Sequence, residues 1–448
     1  MFMLDDIIAD VLRQARAAGA SAADALAIES DAEHVSVRHR SVEKVSQARH
    51  KRIGLRVFVE KSSAVVSTAD LSPQSLARLV EDAVAFARVT APDPCSGLPD
   101  LGEVIQRVPD LDLYDPAVEE IPTATKIALA VEAESAALES DPAITNSEGA
   151  EFSAASTQIN YGTSLGFVGG YNTSSFSLHV VPVATRDGAM QRDYWYTADR
   201  KFDRLDPARS VGETAARRTL RRLGARKVGT CQVPIVFEPE TAGSLLRNLA
   251  AAVSGSAIYR GTSFLRGKLG EAIASPNVTI HDDGTIAAAL GSKPFDGEAA
   301  PTRKTVVVEG GVLRSYLLDT YAARKLDLRT TGNAARGIGD IPSVAPTNLF
   351  LLPGSHPPEE IIASVDRGLY VTELIGFGVN LVTGDYSRGA VGIWIEKGEL
   401  THAVEEITIS GNLLEMFRDI ELVGNDLTRR APVSAPTLKL VRMTVAGT

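Results

Sequence analysis

The chain has 448 residues, 44% hydrophobic and 23% charged, an ordinary globular balance that excludes a fibre or a disordered chain; its length exceeds one core, so two domains are expected. Its formal charge of −10 disfavours sequence-independent contact with nucleic acid, and no apolar run approaches the ~20 residues of a membrane helix. Only Cys95 and Cys231 occur, in no paired spacing, which excludes a disulfide framework and a zinc finger; with Asp5 and Asp6 where a secretory leader would be basic, the expected compartment is the reducing cytoplasm.

Leu4, Ile7, Ile8, Val11, Leu12 and Ala15 recur at helical spacing, and Gly19 ends the pattern. From Ala25 to Thr68 the period becomes two, which predicts an antiparallel meander with Arg38, His39, Arg40, Arg49, Lys51 and Arg52 on solvated faces and turns. Ser72-Pro73 opens a helix to about Ala87, with Leu76, Leu79, Val80 and Val84 on one face. A proline-rich loop and a helix over 123–140 lead to a second β region, 144–196. Leu205-Asp206-Pro207 then opens a helix reaching Leu223. The two halves echo one another as meander plus helix, and the hinge falls at 224–229, so the first domain is 1–229.

The second domain, 230–448, reads as β-rich. Val233 to Phe237 is a buried strand and Glu238-Pro239-Glu240-Thr241 opens a helix through Val253. Val306–Val308 and Leu313–Leu317 flank Glu309-Gly310-Gly311 as a hairpin, and strands follow over 349–352, 369–374 and 438–445, interrupted by a helix over 358–367. Ala390 to Ile395 is a strand returning through Lys397-Gly398-Glu399, and Ser410-Gly411-Asn412 caps a short helix from Leu413. Gly384 to Gly389 reads as a turn or the edge of a site. The fold class is α+β: a meander-plus-helix domain, then a barrel- or sandwich-like β domain with packed helices.

Chemical motifs are weak. Gly162-Thr163-Ser164-Leu165-Gly166 matches a nucleophile elbow, but no helix follows to expose the serine, so a glycine-rich β turn is expected. Ser41-Val42-Glu43-Lys44 lies in a strand without the accompanying Lys-Thr-Gly. The seven histidines are scattered, with no helical pair to hold a metal. His281 and Asp282 alternate on a strand and point to opposite faces. Glu238 with Glu240, and Glu405 with Glu406, read as capping and surface residues. The basic run Arg217, Arg218, Arg221, Arg222 and Lys227 reads as a solvated helix face.

In the second domain Phe295-Asp296-Gly297-Glu298-Ala299-Ala300-Pro301-Thr302, Thr331-Gly332-Asn333-Ala334-Ala335-Arg336, Gly384-Asp385-Tyr386-Ser387-Arg388-Gly389-Ala390, Thr408-Ile409-Ser410-Gly411-Asn412-Leu413 and Val423-Gly424-Asn425-Asp426 occur in that order. Together they resemble the TldD/PmbA family, also labelled modulators of DNA gyrase, and most closely its PmbA (TldE) branch. The resemblance implies a two-subunit cytosolic metalloprotease that trims or degrades peptides. One subunit carries zinc on an HExxxH helix with a cysteine near the C-terminus. Here the matching helix positions hold Arg247, Asn248 and Ala252, no histidine lies in 239–279, and Asp426–Arg430 runs into Ala431-Pro432-Val433 where the zinc subunit would carry its cysteine.

The resemblance therefore implies a PmbA-like subunit with no catalytic residues and no bound metal or other cofactor, the zinc residing in a TldD-like partner. Partners would be that homologue (heterodimer) or a second copy (homodimer), and an unfolded peptide, with no nucleic acid and no membrane. The alternative is a self-associating peptide-binding scaffold without a protease partner. Cleft or interface candidates are Asn333, Arg336, Asp385, Tyr386, Ser387 and Arg388, with Asp385 and Arg388 expected to form an ion pair that fixes their turn.

Overall fold

A computed structural model describes residues 4–447; of the N-terminal segment read above, Met1 to Met3 lie outside the described residues. Helix α1 (Leu4–Ala17) precedes three strands, β1 (Ala22–Arg38), β2 (Ser41–Val59) and β3 (Ser62–Thr68), and helix α2 (Pro73–Val89). The Ser72 side chain caps α2 by accepting from Ser75 N–H, and Pro73 stands in the first turn, where its missing N–H costs nothing. Helices α3 (Ala117–Glu120) and α4 (Thr123–Glu139) lead to β4 (Ile144–Thr163), β5 (Val168–Arg186), β6 (Ala189–Arg192), β7 (Trp195–Asp199) and α5 (Ala208–Leu220).

The echo between the two halves has a structural basis: they share one antiparallel sheet of order β3-β2-β1-β4-β5-β6, with β7 also on β5. Strand β1 pairs with β4 from Asp24↔Thr163 to Val37↔Ala150. Period-two alternation divides β1 between two faces. Ala23, Ala25, Ala27, Val35 and Val37 pack under the helices, while Leu26 joins Tyr161 and Phe295 on the opposite face, against the second half of the chain. At the β1–β2 turn, His39 and Arg40 adopt positive φ, and both N–H groups donate to the buried Glu134 carboxylate of α4.

The remaining elements are β8 (Cys231–Phe237), α6 (Pro239–Ala252), α7 (Gly255–Arg260), β9 (Ile280–Asp283), β10 (Lys304–Glu309), β11 (Val312–Leu313) and α8 (Thr320–Leu326). They continue with β12 (Ala334–Ala335), β13 (Ser343–Val344), β14 (Leu349–Leu351), α9 (Pro358–Ala363), β15 (Arg367–Ile375), β16 (Asp385–Glu396) and β17 (Glu399–Asn412). The last are α10 (Leu413–Arg418), β18 (Ile420–Val423), β19 (Val433–Ser434) and β20 (Leu438–Ala446). The larger sheet runs β17-β16-β15-β8-β20-β18, and β17 also pairs with β20, so five strands close on themselves as a barrel. A second sheet, β11-β10-β9-β14-β19, stands beside it. Buried residues of α6, the barrel and the second sheet form one continuous core, which includes Leu245, Leu246, Phe237, Leu349 and Leu438.

Three local expectations change. The hairpin return is only Val312–Leu313, because Leu317 leaves to exchange backbone hydrogen bonds with Val253 and Gly255. Helix α9 stops at Ala363, and Arg367 already begins β15. Gly384–Gly389 is not a turn: from Asp385 onward it is regular strand, in register as Asp385↔Asn412 through Arg388↔Ile409, and Asn412 caps α10.

The two halves of the chain meet through ions as well as apolar contacts. Arg56 donates to Asp24, its cross-strand partner on β1, and to Glu298 Oε1 at 3.1 Å from the second half. Arg336 Nη1 donates to Asp24 Oδ1 at 2.6 Å, and the Tyr161 hydroxyl donates to Asp24 Oδ2 at 3.0 Å. Glu298 Oε2 in turn accepts from Thr320 N–H in the first turn of α8.

Candidate functional site

A cleft of about 930 Å3 lies between the N-terminal sheet, where strand β6 and side chains of β4 and β5 line it, and the strands β15–β17 of the barrel. Among the described residues β6 and β7 pair only with β5, so together they form an open edge of that sheet, and β6 lines the cleft. An edge of that kind can accept an extended peptide as an added strand. The Tyr194 ring lines both this cleft and a smaller adjoining recess of about 220 Å3. The recess lies between α6, which contributes Glu240, Gly243 and Arg247, and the segment Thr428–Ala435.

The cleft floor corrects the reading of the basic helix face as solvated. Arg218 and Arg222, at and just beyond the C-terminal end of α5, are buried where they meet Glu238 before α6 and Glu373 of β15. Arg218 grips the Glu238 carboxylate with both terminal nitrogens, at 2.6 and 3.1 Å, and Arg221 adds a third bond at 3.0 Å. Arg222 reaches Glu373 at 2.6 Å, and Asp193 lies among all three guanidinium groups. Glu238 is therefore a buried counter-ion rather than a surface cap. Trp195 is covered by two cations, Arg218 at 4.9 Å and Arg430 at 5.1 Å from its ring centre.

Along α6 the residues at 240, 243 and 247 follow one helical face and look into the recess. Arg247 is open to solvent at its tip and makes no hydrogen bond or ion pair with any described residue. Partial burial, reinforced by the Arg388 guanidinium, pulls its pKa below the ordinary value. Burial and the neighbouring Glu238 carboxylate push the Glu240 carboxyl up. Asn248 turns inward, and its Nδ2 is buried without a partner; Ala252 is fully buried in the core. Tyr194 and Tyr196 lie on one side of β7, stacked with ring centres 6.3 Å apart, and burial raises both phenols so that they remain hydrogen-bond donors.

The six residues of the sequence motifs do not gather in one place. Tyr386 and Arg388 share the inward side of β16: Arg388 donates to Leu374 O at 3.2 Å and Ser244 Oγ of α6 at 3.5 Å, which brings this motif beside Arg247. Burial raises the Tyr386 phenol to about 12, against the lowering influence of the neighbouring Arg388. Asp385 and Ser387 project from the opposite, exposed side. The expected Asp385–Arg388 ion pair does not form, since residues three apart on a strand point to opposite faces; Asp385 instead accepts from Thr383 Oγ1 at 2.6 Å. Arg336 belongs to the buried polar contact between the halves, whereas Asn333 stays within the second half, its Nδ2 donating to Asp282 Oδ2 at 2.6 Å.

Ser164 sits in the β4–β5 turn, where its Oγ accepts from Ala23 N–H, and no helix follows it. Sequence reading missed Tyr194, Tyr196 and Arg430. The available signal was the Tyr194-Trp195-Tyr196 alternation, which at strand spacing puts two phenols on one side. Among the described residues no group of three or more His, Cys, Asp or Glu side chains is arranged to hold a metal ion. No described helix is long and apolar enough to cross a membrane.

Sequence models of the PmbA/TldA metallopeptidase family match three stretches: domain 1 over 23–87, the central domain over 116–223 and the C-terminal domain over 230–447. The chain is 40% identical to metalloprotease PmbA of Escherichia coli O157:H7, over 92% of this chain and 89% of that one. It is 36% identical to the metalloprotease PmbA homologue of Haemophilus influenzae, over 92% and 89% respectively. A crystal structure from Bacteroides thetaiotaomicron, described as a candidate modulator of DNA gyrase, superposes with a TM-score of 0.92 at 27% identity and covers 100% of both chains.

Proposed function

The chain belongs to the PmbA/TldD metallopeptidase family, and from that premise we propose that it is the subunit that holds no zinc, pairing in the cytoplasm with a zinc-bearing TldD-like homologue and helping to hold an extended peptide. The observation that carries this reading is the recess itself. It joins the two segments that correspond to the zinc helix and to the cysteine-bearing segment, and what they present there is arginine: Arg247 from α6 and Arg430 from the other side.

These residues do not fit a zinc ion. A guanidinium is always protonated and offers no lone pair, and Arg388 adds a second positive charge beside Arg247. Asn248 supplies an amide in place of the glutamate that would act as base, and Ala252 supplies a methyl group. The polypeptide part of the reading rests on the open edge strand β6 beside the cleft, where backbone pairing would accept many sequences.

The test is to purify the protein alone and with a TldD-like homologue, then measure metal content and peptidase activity. Zinc well below one equivalent in the lone protein, with activity only in the mixed complex, is expected. Stoichiometric zinc or peptidase activity in the lone protein would refute the reading. A persistent homodimer that ignores the homologue would favour a self-associating peptide-binding scaffold.

A further inference from the structure

We propose that the recess between α6 and Thr428–Ala435 is a carboxylate-binding subsite, with the Arg247 guanidinium as its principal donor. A guanidinium presents five N–H groups in a fixed fork that matches a carboxylate, and Arg247 spends none of them on the described protein. In this it differs from its neighbours. Arg218, Arg221 and Arg222 are consumed by Glu238, Asp193 and Glu373, and Arg430 divides itself between Asp206, at 3.0 Å, and the Trp195 face. Arg388, behind Arg247, donates to the Leu374 carbonyl and, at 3.5 Å, to Ser244, lies beside the Tyr386 phenol, and meets no carboxylate among the described residues; its buried Nε has no partner.

The remaining lining suits the same ligand. Tyr194 and Tyr196 add two phenol donors to the wall, and Ser434 lies on the opposite side. The one carboxyl in the recess, Glu240, lies seven residues back along α6, ~10 Å along the helix axis from Arg247, and its burial disfavours the charged form. A cation entering at Arg247 would meet two guanidinium groups, and a neutral group would leave Arg247 unpaired. The volume, about 220 Å3, accommodates one side chain or one chain terminus.

The subsite opens past Tyr194 onto the cleft, so the ligand class is a peptide carboxylate, at the C-terminus or on an Asp or Glu side chain. That assignment rests on reading the cleft as a peptide-holding surface. Calorimetric titration of the full chain with N-acetylated hexapeptides tests it. The three peptides carry a free C-terminal carboxylate, a C-terminal amide without acidic residues, and a C-terminal amide with one internal glutamate.

At least one carboxylate peptide should bind about tenfold or more tighter than the neutral amide, the scale of one charge-assisted bond. Arg247→Gln should abolish that gap and leave the neutral peptide unchanged, while Arg247→Lys retains part of it. The tighter of the two carboxylate peptides identifies the source of the group. Equal binding of all three, no binding of either carboxylate peptide, or a gap that survives Arg247→Gln overturns the proposal. Such a failure leaves the zinc-free reading intact, since metal content and activity of the mixed complex decide that separately.

Discussion

Arg336 and Asp24 stand 312 residues apart in the chain and 2.6 Å apart in the fold, with both side chains wholly withdrawn from solvent. With Arg56 and Glu298 they make two cations and two anions, so the buried cluster is balanced only as a set. Such a set contributes little to stability compared with an apolar replacement, but removing one member strands a charge.

Asp24→Asn should therefore lower the unfolding free energy by about 3–5 kcal/mol, read as a fall in the urea midpoint. The pH profile gives a second check. Burial alone would raise the Asp24 carboxyl, but Arg336 and Arg56 outweigh it and hold it below its ordinary value of 3.8. A depressed carboxylate contributes stability above the unfolded pKa and loses it as pH falls through the folded one. The acid-side loss below pH 3.8 should be shallower in the variant; an unchanged slope would count against the cluster.

Asp296 predicts the opposite slope in a different window. Burial first, then repulsion from Glu298, raises its carboxyl to about 7 from an ordinary 3.8. The folded state binds the extra proton between these values, so stability falls as pH rises from 3.8 to about 7. Asp296→Asn should flatten that part of the profile in urea titrations at stepped pH. A variant as steep as the parent would contradict the assignment.

Gly54→Ala tests the contact between the halves without touching a charge. A Cβ built on Gly54 would fall 1.6 Å from the Ile338 carbonyl oxygen, a backbone atom that cannot swing aside. The substitution should lower the melting temperature and hasten limited proteolysis in the 224–229 connection. Unaltered proteolysis would mean the two segments do not touch in solution.

Glu238→Gln should cost about 3–5 kcal/mol, because Arg218 and Arg221 lose the carboxylate they share and keep only Asp193. Glu406→Gln removes an exposed partner of Lys227 and should leave the urea midpoint where it was. Similar losses in both would show that burial is not what separates them.

Local order was legible wherever one stretch of chain decides its own conformation. The α1 face, the Ser72-Pro73 start, the β1–β3 alternation and the Asn412 cap are all written in neighbouring residues. What could not be read depends on a partner distant in sequence. Arg218 and Arg222 have the spacing of a solvated face, and only Glu238 and Glu373 make them interior. Gly384–Gly389 has turn composition, yet pairing with Thr408–Asn412 holds it extended from Asp385. Within the recess the sequence supplied Arg247, while Tyr194, Tyr196 and Arg430 arrive from elements whose approach no local pattern encodes.

The barrel closure also governs the order in which the chain can mature during synthesis. Strand β8 lies between β15 and β20, and β20 is also the strand that seals β17. The first strand of this half must therefore wait, half-paired, until residues 438–446 have left the ribosome. The N-terminal sheet has no such debt, since its last strand, β7, is complete by Asp199. The nascent barrel thus passes through an interval with β8 exposed along one edge, when a holding chaperone would have its strongest claim on the chain.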